Sequence, residues 1–247
     1  MGTLNLEPID AGVADPSNYG SKPLIFFDID GVFNRIPFID LYIGPECDCH
    51  RDTYCPHRDN GANWTSLRME LGEDLYDDVP ATVEEGIRIH PSWQIPLWIS
   101  TELSAELQAL YRSEKVDIIF LSMWEANSRF LNGLLGTSIP HVKLSRKLTE
   151  SERSVKHRNL FRFLADLRKI RGSVPPFIWV DDVVTGSERG VPIESEVRKG
   201  LKALNVRDVP PMLILNTDTS EGLRRSHWRQ ILEFVELHAA EAQQDHS

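Results

Sequence analysis

Apolar residues in this chain gather into short continuous runs, and each run stops at a polar residue. Pro23-Leu24-Ile25-Phe26-Phe27 stops at Asp28-Ile29-Asp30-Gly31. Val116-Asp117-Ile118-Ile119-Phe120-Leu121 stops at Ser122. Phe177-Ile178-Trp179-Val180 stops at Asp181-Asp182, and Pro211-Met212-Leu213-Ile214-Leu215 at Asn216-Thr217-Asp218. Runs with so little polar alternation read as strands buried on both faces, as in a parallel sheet. Segments of helical spacing lie between them. Ser100 caps a predicted helix reaching about residue 111, with Leu103, Leu107 and Leu110 on one face. A short helix is predicted over 128–135, stopped near Gly136. Thr149-Glu150-Ser151-Glu152 reads as a capping box opening a helix to about residue 170. Further helices are predicted over 194–204 and from 222 to about 242. Alternating strands and helices imply right-handed βαβ units, an α/β fold and a largely parallel sheet.

Three stretches break this rhythm. Residues 1–22 hold Gly, Pro, Asp and Asn with little periodicity and read as a flexible N-terminal arm. Residues from about 33 to 90 are rich in Cys, His, Asp, Asn, Gly and Pro, and read as an insertion after the first strand: a flap or small cap. Its second part carries Glu70, Glu73, Asp74, Asp77, Asp78, Glu84 and Glu85 with no Lys or Arg between 70 and 85. Residues 243–247 are a polar tail, so 23–242 reads as a single domain.

At 247 residues with 41% hydrophobic and 26% charged side chains, the chain can bury a normal core, which excludes global disorder. A net charge of -10 argues against non-specific coating of nucleic acid. Runs such as 118–121 are too short to cross a bilayer, and the N-terminus lacks a signal-peptide pattern. The three Cys residues all fall between 47 and 55, which is no disulfide framework, so a cytoplasmic location is expected.

The candidate chemistry sits where the apolar runs end. In open α/β sheets ligands bind outside the carboxyl ends of the strands. Asp28 and Asp30 follow one run, and Asp181 and Asp182 another. Carboxylates gathered together repel, and a hard divalent cation such as Mg²⁺ keeps them ionised. Taken singly, each Asp would also serve as a turn former or helix cap.

The order of these residues is similar to a known family. Phe27-Asp28-Ile29-Asp30-Gly31-Val32 resembles the DxDG(V/T) signature of the haloacid dehalogenase (HAD) superfamily. Ser122 resembles its second motif and Asp181-Asp182 its fourth. A Lys is expected between these two motifs. Lys156 is the choice, with Lys143 and Lys147 in the same interval. Asp28-Ile29-Asp30-Gly31-Val32-Phe33-Asn34, Ser122-Met123-Trp124-Glu125, Trp179-Val180-Asp181-Asp182 and Asp218-x-x-x-Gly222-Leu223 resemble a small bacterial HAD-domain subgroup sometimes linked to RNA repair. The likeness spans about residues 24–235. It implies a Rossmannoid three-layer sandwich and a Mg²⁺-dependent phosphatase, a hydrolase working through an aspartyl-phosphate.

On that resemblance Asp28 is the nucleophile, and Asp30 is the acid and base whose backbone carbonyl also reaches Mg²⁺. Ser122 binds a phosphoryl oxygen, and Lys156 offsets its charge. Asp28, Asp181 and Asp182 hold the metal, Asp182 directly or through water. Gly31 lets the backbone approach the ligand, and Asn34 and Trp124 are candidate substrate contacts. Trp124 serves equally as packing. Arg35 is a further candidate in the flap, or a surface residue.

Two other features carry expectations. Cys47, Cys49, His50, Cys55 and His57 form C-x-C-H-x4-C-x-H, which would suit a structural Zn²⁺ although the spacing departs from C-x2-C knuckles. The alternative is a loop with free thiols or one disulfide. Residues 143–171 carry ten Lys and Arg against Glu150, Glu152 and Asp166. That stretch is a solvated face or a surface for a polyphosphate or nucleic-acid end. The expected partner is a phosphorylated small molecule, a nucleotide or a nucleic-acid end, with no membrane. Two alternatives stay open: a non-catalytic binding module of the same fold, and a phosphotransferase to an acceptor other than water.

Overall fold

The structure is a computed structural model. It describes residues 8–34, 87–90, 93–95, 100–125, 128–145, 151–182, 193–203, 209–218 and 221–244. Four of its strands are the four apolar runs: β1 (Leu24–Phe27), β4 (Asp117–Phe120), β5 (Phe177–Asp181) and β6 (Met212–Asn216). They form one sheet in the order β4-β1-β5-β6, and every pairing in it is parallel. The register runs without a break, with Phe27 between Phe120 and Val180, and Asp181 opposite Asn216. All four strands point the same way, so the carboxyl ends of β1 and β5 come side by side at the centre of one sheet edge.

Each strand alternates its side chains between two apolar layers. Ile25, Phe27, Ile118, Phe120, Ile178 and Val180 face helices α1 (Thr101–Arg112), α2 (Ser128–Leu135) and α5 (Arg225–Gln244). Leu24, Phe26, Ile119, Phe177 and Trp179 face α3 (Glu152–Arg171) and α4 (Ile193–Ala203). Helices therefore cover both faces of the sheet, as continuous apolar strands require. This is a Rossmann-like α/β architecture.

Helix ends show where local chemistry differed from the pattern. Ser100 caps α1 as expected, its hydroxyl accepting from Leu103 N. The cap of α3 is Ser151, whose hydroxyl accepts from Ser154 N, and the helix opens at Glu152 rather than after Thr149. This shift places Lys156 only about one turn from the helix start. The helix expected from Gly222 begins at Arg225, because Gly222 adopts a φ of 68° and bridges to Asp218.

The stretch read as an N-terminal arm packs onto the domain over its described part. Ala14 N and His141 O bond at 2.8 Å, and Tyr19 is buried with its ring edge-on to Phe163. Phe33, placed by sequence at the start of the insertion, is buried against Phe27 with ring centroids 4.9 Å apart. At the end of the insertion region and just beyond it, β2 (Ile87–His90) and β3 (Trp93–Ile95) pair antiparallel, a hairpin that the sequence pattern does not predict. Ile87, Arg88, Ile89 and His90 alternate apolar and polar over only four residues, too short a signal to separate from loop. The cluster Cys47, Cys49, His50, Cys55 and His57 lies outside the described residues, as do Arg35, Arg146 and Lys147. Among the described residues no helix is long and apolar enough to cross a membrane.

Candidate metal centre

Three carboxylates meet where β1 and β5 end. Asp28, Asp181 and Asp182 each present an oxygen within 4.8 Å of the others, an arrangement that can hold a metal ion. Backbone bonding fixes their approach. Asp28 N donates to Val180 O at 2.9 Å, and Thr217 N donates to Asp181 O at 3.2 Å. Asp28 and Asp181 are buried, and Asp182 is half-buried.

Lys156 reaches this group from α3, with its side chain fully buried. Its ammonium donates to Asp28 Oδ2 at 2.6 Å and to Asp181 Oδ1 at 3.3 Å, and Glu152 Oε1 lies 2.9 Å away. Trp179 Nε1 donates to Asp181 Oδ2 at 3.3 Å, two residues along the same strand and on the same face. Ser122, at the end of β4, is buried beside Asp28 and accepts from Trp124 N at 3.3 Å.

Asp30 is held apart from the triad. Its two carboxylate oxygens accept from Asn34 Nδ2 at 2.7 Å and from Trp124 Nε1 at 2.9 Å. Trp124 and Asn34, expected from sequence as substrate contacts, are therefore both bound to Asp30. Gly31 has a φ of 68°, and a Cβ there would lie 2.2 Å from Asp182 Oδ2. Glycine at this position thus permits both the left-handed turn and the close approach of Asp182.

The electrostatics follow from burial. Burial and the neighbouring Asp181 push the Asp28 carboxyl well above its ordinary value, against the pull of Lys156 and Ser122. Burial likewise raises Asp30, against its two donors Trp124 and Asn34. For Lys156 burial disfavours the charged form, but Asp28, Asp181 and Glu152 outweigh it and hold the ammonium protonated. Asp28 Oδ1 is buried with no hydrogen-bond partner among the described residues, and so is Asn216 Oδ1, on the strand neighbour of Asp181. Orphaned buried oxygens beside clustered carboxylates are what a cation would satisfy.

Three contributors escaped the sequence reading as site residues. Thr217 Oγ1 donates to Gly31 O at 2.6 Å and anchors the turn after β1. Trp179 fixes the Asp181 carboxylate, and Glu152 contacts Lys156. Their only sequence signal was position: Thr217 just after an apolar run, Trp179 two residues before Asp181, and Glu152 one helical turn before Lys156.

Fold and site define a class: a Rossmann-like α/β protein whose strand ends carry a buried aspartate triad able to hold a metal ion. Compared with protein-family models, curated proteins and solved structures, the chain finds no match.

Proposed function

We propose that this protein is a Mg²⁺-dependent phosphatase of the HAD type, hydrolysing phosphomonoesters through an aspartyl-phosphate on Asp28. One observation carries the reading. Asp28 holds one oxygen on the Lys156 ammonium at 2.6 Å, and its other oxygen, Oδ1, is buried with no hydrogen-bond partner among the described residues. A carboxylate so arranged is oriented by Lys156 through one oxygen, which leaves the other to act at the site.

The donor set suits Mg²⁺. Asp28, Asp181 and Asp182 supply hard carboxylate oxygens, and the missing Cβ at Gly31 leaves Asp182 room beside the turn. Asp28, Asp181 and Asp182 would hold the ion, together with the Asp30 backbone carbonyl that the family resemblance implies. Bound Mg²⁺ would supply positive charge against the phosphoryl oxygens and the clustered carboxylates.

Asp28 attacks phosphorus while the ester P–O bond breaks, and Asp30 gives the departing oxygen its proton. Asp30 then takes a proton from water as that water attacks the aspartyl-phosphate, which releases inorganic phosphate and restores both carboxyl groups. Lys156 opposes the charge spread over the transferring group, and the Ser122 hydroxyl donates to one of its oxygens. Trp124 and Asn34 hold the Asp30 carboxyl between them. The basic residues in the first turns of α3, Arg153 and Arg158, favour a substrate with further phosphates, a nucleotide or a nucleic-acid end.

A panel of phosphomonoesters with and without Mg²⁺, comparing wild type with Asp28→Asn, tests the reading. Mg²⁺-dependent phosphate release that the variant lacks supports it. No Mg²⁺-dependent turnover on any ester, with Mg²⁺ still bound, overturns it in favour of a binding module. Phosphate delivered to an acceptor other than water would revise the reaction to group transfer.

A further inference from the structure

Glu152 is a charged group that touches the proposed machinery and to which the mechanism assigns no part. It is the first residue of α3, and its Oε1 lies 2.9 Å from Lys156 Nζ across one helical turn. A lysine ammonium has three N–H donors and no acceptor. Here it donates hydrogen bonds to Asp28 at 2.6 Å and Asp181 at 3.3 Å, and makes an ion pair with Glu152 at 2.9 Å. That leaves one N–H, and the Glu152 carboxylate stands beside it where a phosphoryl oxygen would approach.

The three neighbours differ in what it costs to release them. The Asp28 and Asp181 side chains are 2% and 0% exposed, whereas that of Glu152 is 45% exposed. Withdrawing Lys156 from either aspartate strands a charge in the interior, which is strongly unfavourable. Turning Glu152 outward returns its carboxylate to water, at the small cost of an exposed ion pair. Glu152 is thus the exchangeable partner on the solvent side of the ammonium.

We propose that Glu152 is a specificity-determining gate: its carboxylate occupies the phosphoryl-oxygen position on Lys156, and an incoming phosphoryl group must displace it. The inference rests on the phosphatase reading and deepens it. A singly charged carboxylate ligand merely exchanges like for like at Lys156. A dianionic phosphoryl group, drawn also by the metal, displaces Glu152 favourably. The gate therefore selects phosphomonoester dianions over carboxylates. Glu152 also sits favourably in the first turn of a helix, and that role alone would affect stability but not anion binding.

Calorimetric titration of the full chain with inorganic phosphate in saturating Mg²⁺ tests this, using wild type, Glu152→Gln and Asp28→Asn at low and at high salt. Glu152→Gln is expected to bind phosphate about twofold to fivefold tighter than wild type, as loss of a competing exposed ion pair would give. The gain should persist at high salt, because displacement from a buried ammonium is screened little. The KM for a phosphomonoester should fall in parallel. Phosphate binding that is unchanged or weaker in Glu152→Gln, while wild type binds it, overturns the gate and leaves the phosphatase reading standing. So does a gain that vanishes at high salt, which would mark long-range repulsion only. If wild type binds no phosphate with Mg²⁺ present, and Asp28→Asn is no different, the gate and the phosphatase reading fall together.

Discussion

Lys156 Nζ lies 2.6 Å from Asp28 Oδ2, a contact between residues 128 positions apart in sequence. Both side chains are buried, so the pair is held by the fold rather than by local chain geometry. Removing the ammonium leaves Asp28 and Asp181 facing one another uncompensated. Lys156→Met is expected to destabilise the protein by about 3–5 kcal/mol, the usual consequence of breaking a buried pair. Asp28→Asn should cost far less stability, because Asp181 and Glu152 still pair with Lys156. It should nonetheless abolish phosphate release. Urea unfolding of both variants beside an activity assay checks the contrast. Equal destabilisation by the two substitutions would contradict the arrangement.

Gly31 separates stability from metal binding in another way. A Cβ at this position meets the Asp182 carboxylate at 2.2 Å, and the backbone has a φ of 68°. Gly31→Ala should cost about 1–3 kcal/mol through the strained backbone. It should also displace Asp182 and weaken Mg²⁺ affinity, which calorimetry with Mg²⁺ would measure. A folded Gly31→Ala protein with unchanged Mg²⁺ affinity would remove Asp182 from the metal set.

Trp124 offers a test of the Asp30 clamp. Its indole N–H donates to Asp30 Oδ2 at 2.9 Å, while its ring is buried in the apolar layer. Trp124→Phe keeps most of the packing and removes the donor. A hydrogen bond to a charged group contributes about 1.5–3 kcal/mol, so an orientation lost at Asp30 should lower kcat at least tenfold on alkyl phosphates. Aryl phosphates with acidic leaving groups need little help from Asp30 and should suffer less. Equal losses on both substrate types would mean that Trp124 acts only through packing.

The contrast between what was legible in the chain and what was not follows from the range of the interactions. β1, β4, β5 and β6 could be read because a strand buried on both faces has no room for polar alternation. Asp28, Asp181 and Ser122 were legible for the related reason that parallel strands bring their carboxyl ends to one edge. Lys156 follows only from the family resemblance, and the start of α3 differs from its expected place because Thr149 and Ser151 are both good caps in one short stretch. The Thr217 bond to Gly31 O could not be read at all: it spans 186 positions, and a Thr after a strand looks the same with or without it. The clamp on the Asp30 carboxylate by Trp124 and Asn34 was not legible either, because it is set by the turn after β1, which residue spacing does not encode.

His157, next to Lys156, predicts a pH dependence of stability separate from the carboxylates. Its ring packs edge-on to Trp179, centroids 4.7 Å apart, and to Phe161 at 5.9 Å, and Nε2 has no hydrogen-bond partner among the described residues. Burial, helped by the nearby Arg153, lowers its pKa from 6.5 to about 4, with Glu196 opposing. Between those values the unfolded chain binds a proton at this residue that the folded chain refuses. Stability therefore rises with pH across that window, is fully present above about 6.5, and is lost as pH falls toward 4. The contribution is at most about 3 kcal/mol, since each pKa unit corresponds to about 1.36 kcal/mol. His157→Phe places a ring of similar size among Trp179 and Phe161 and removes the titration, while every other ionisable group remains. Urea unfolding at pH 7 and pH 4.5 should show wild type losing more stability than the variant over that interval. Parallel losses in the two proteins would mean that His157 is protonated in the fold, with a partner for Nε2.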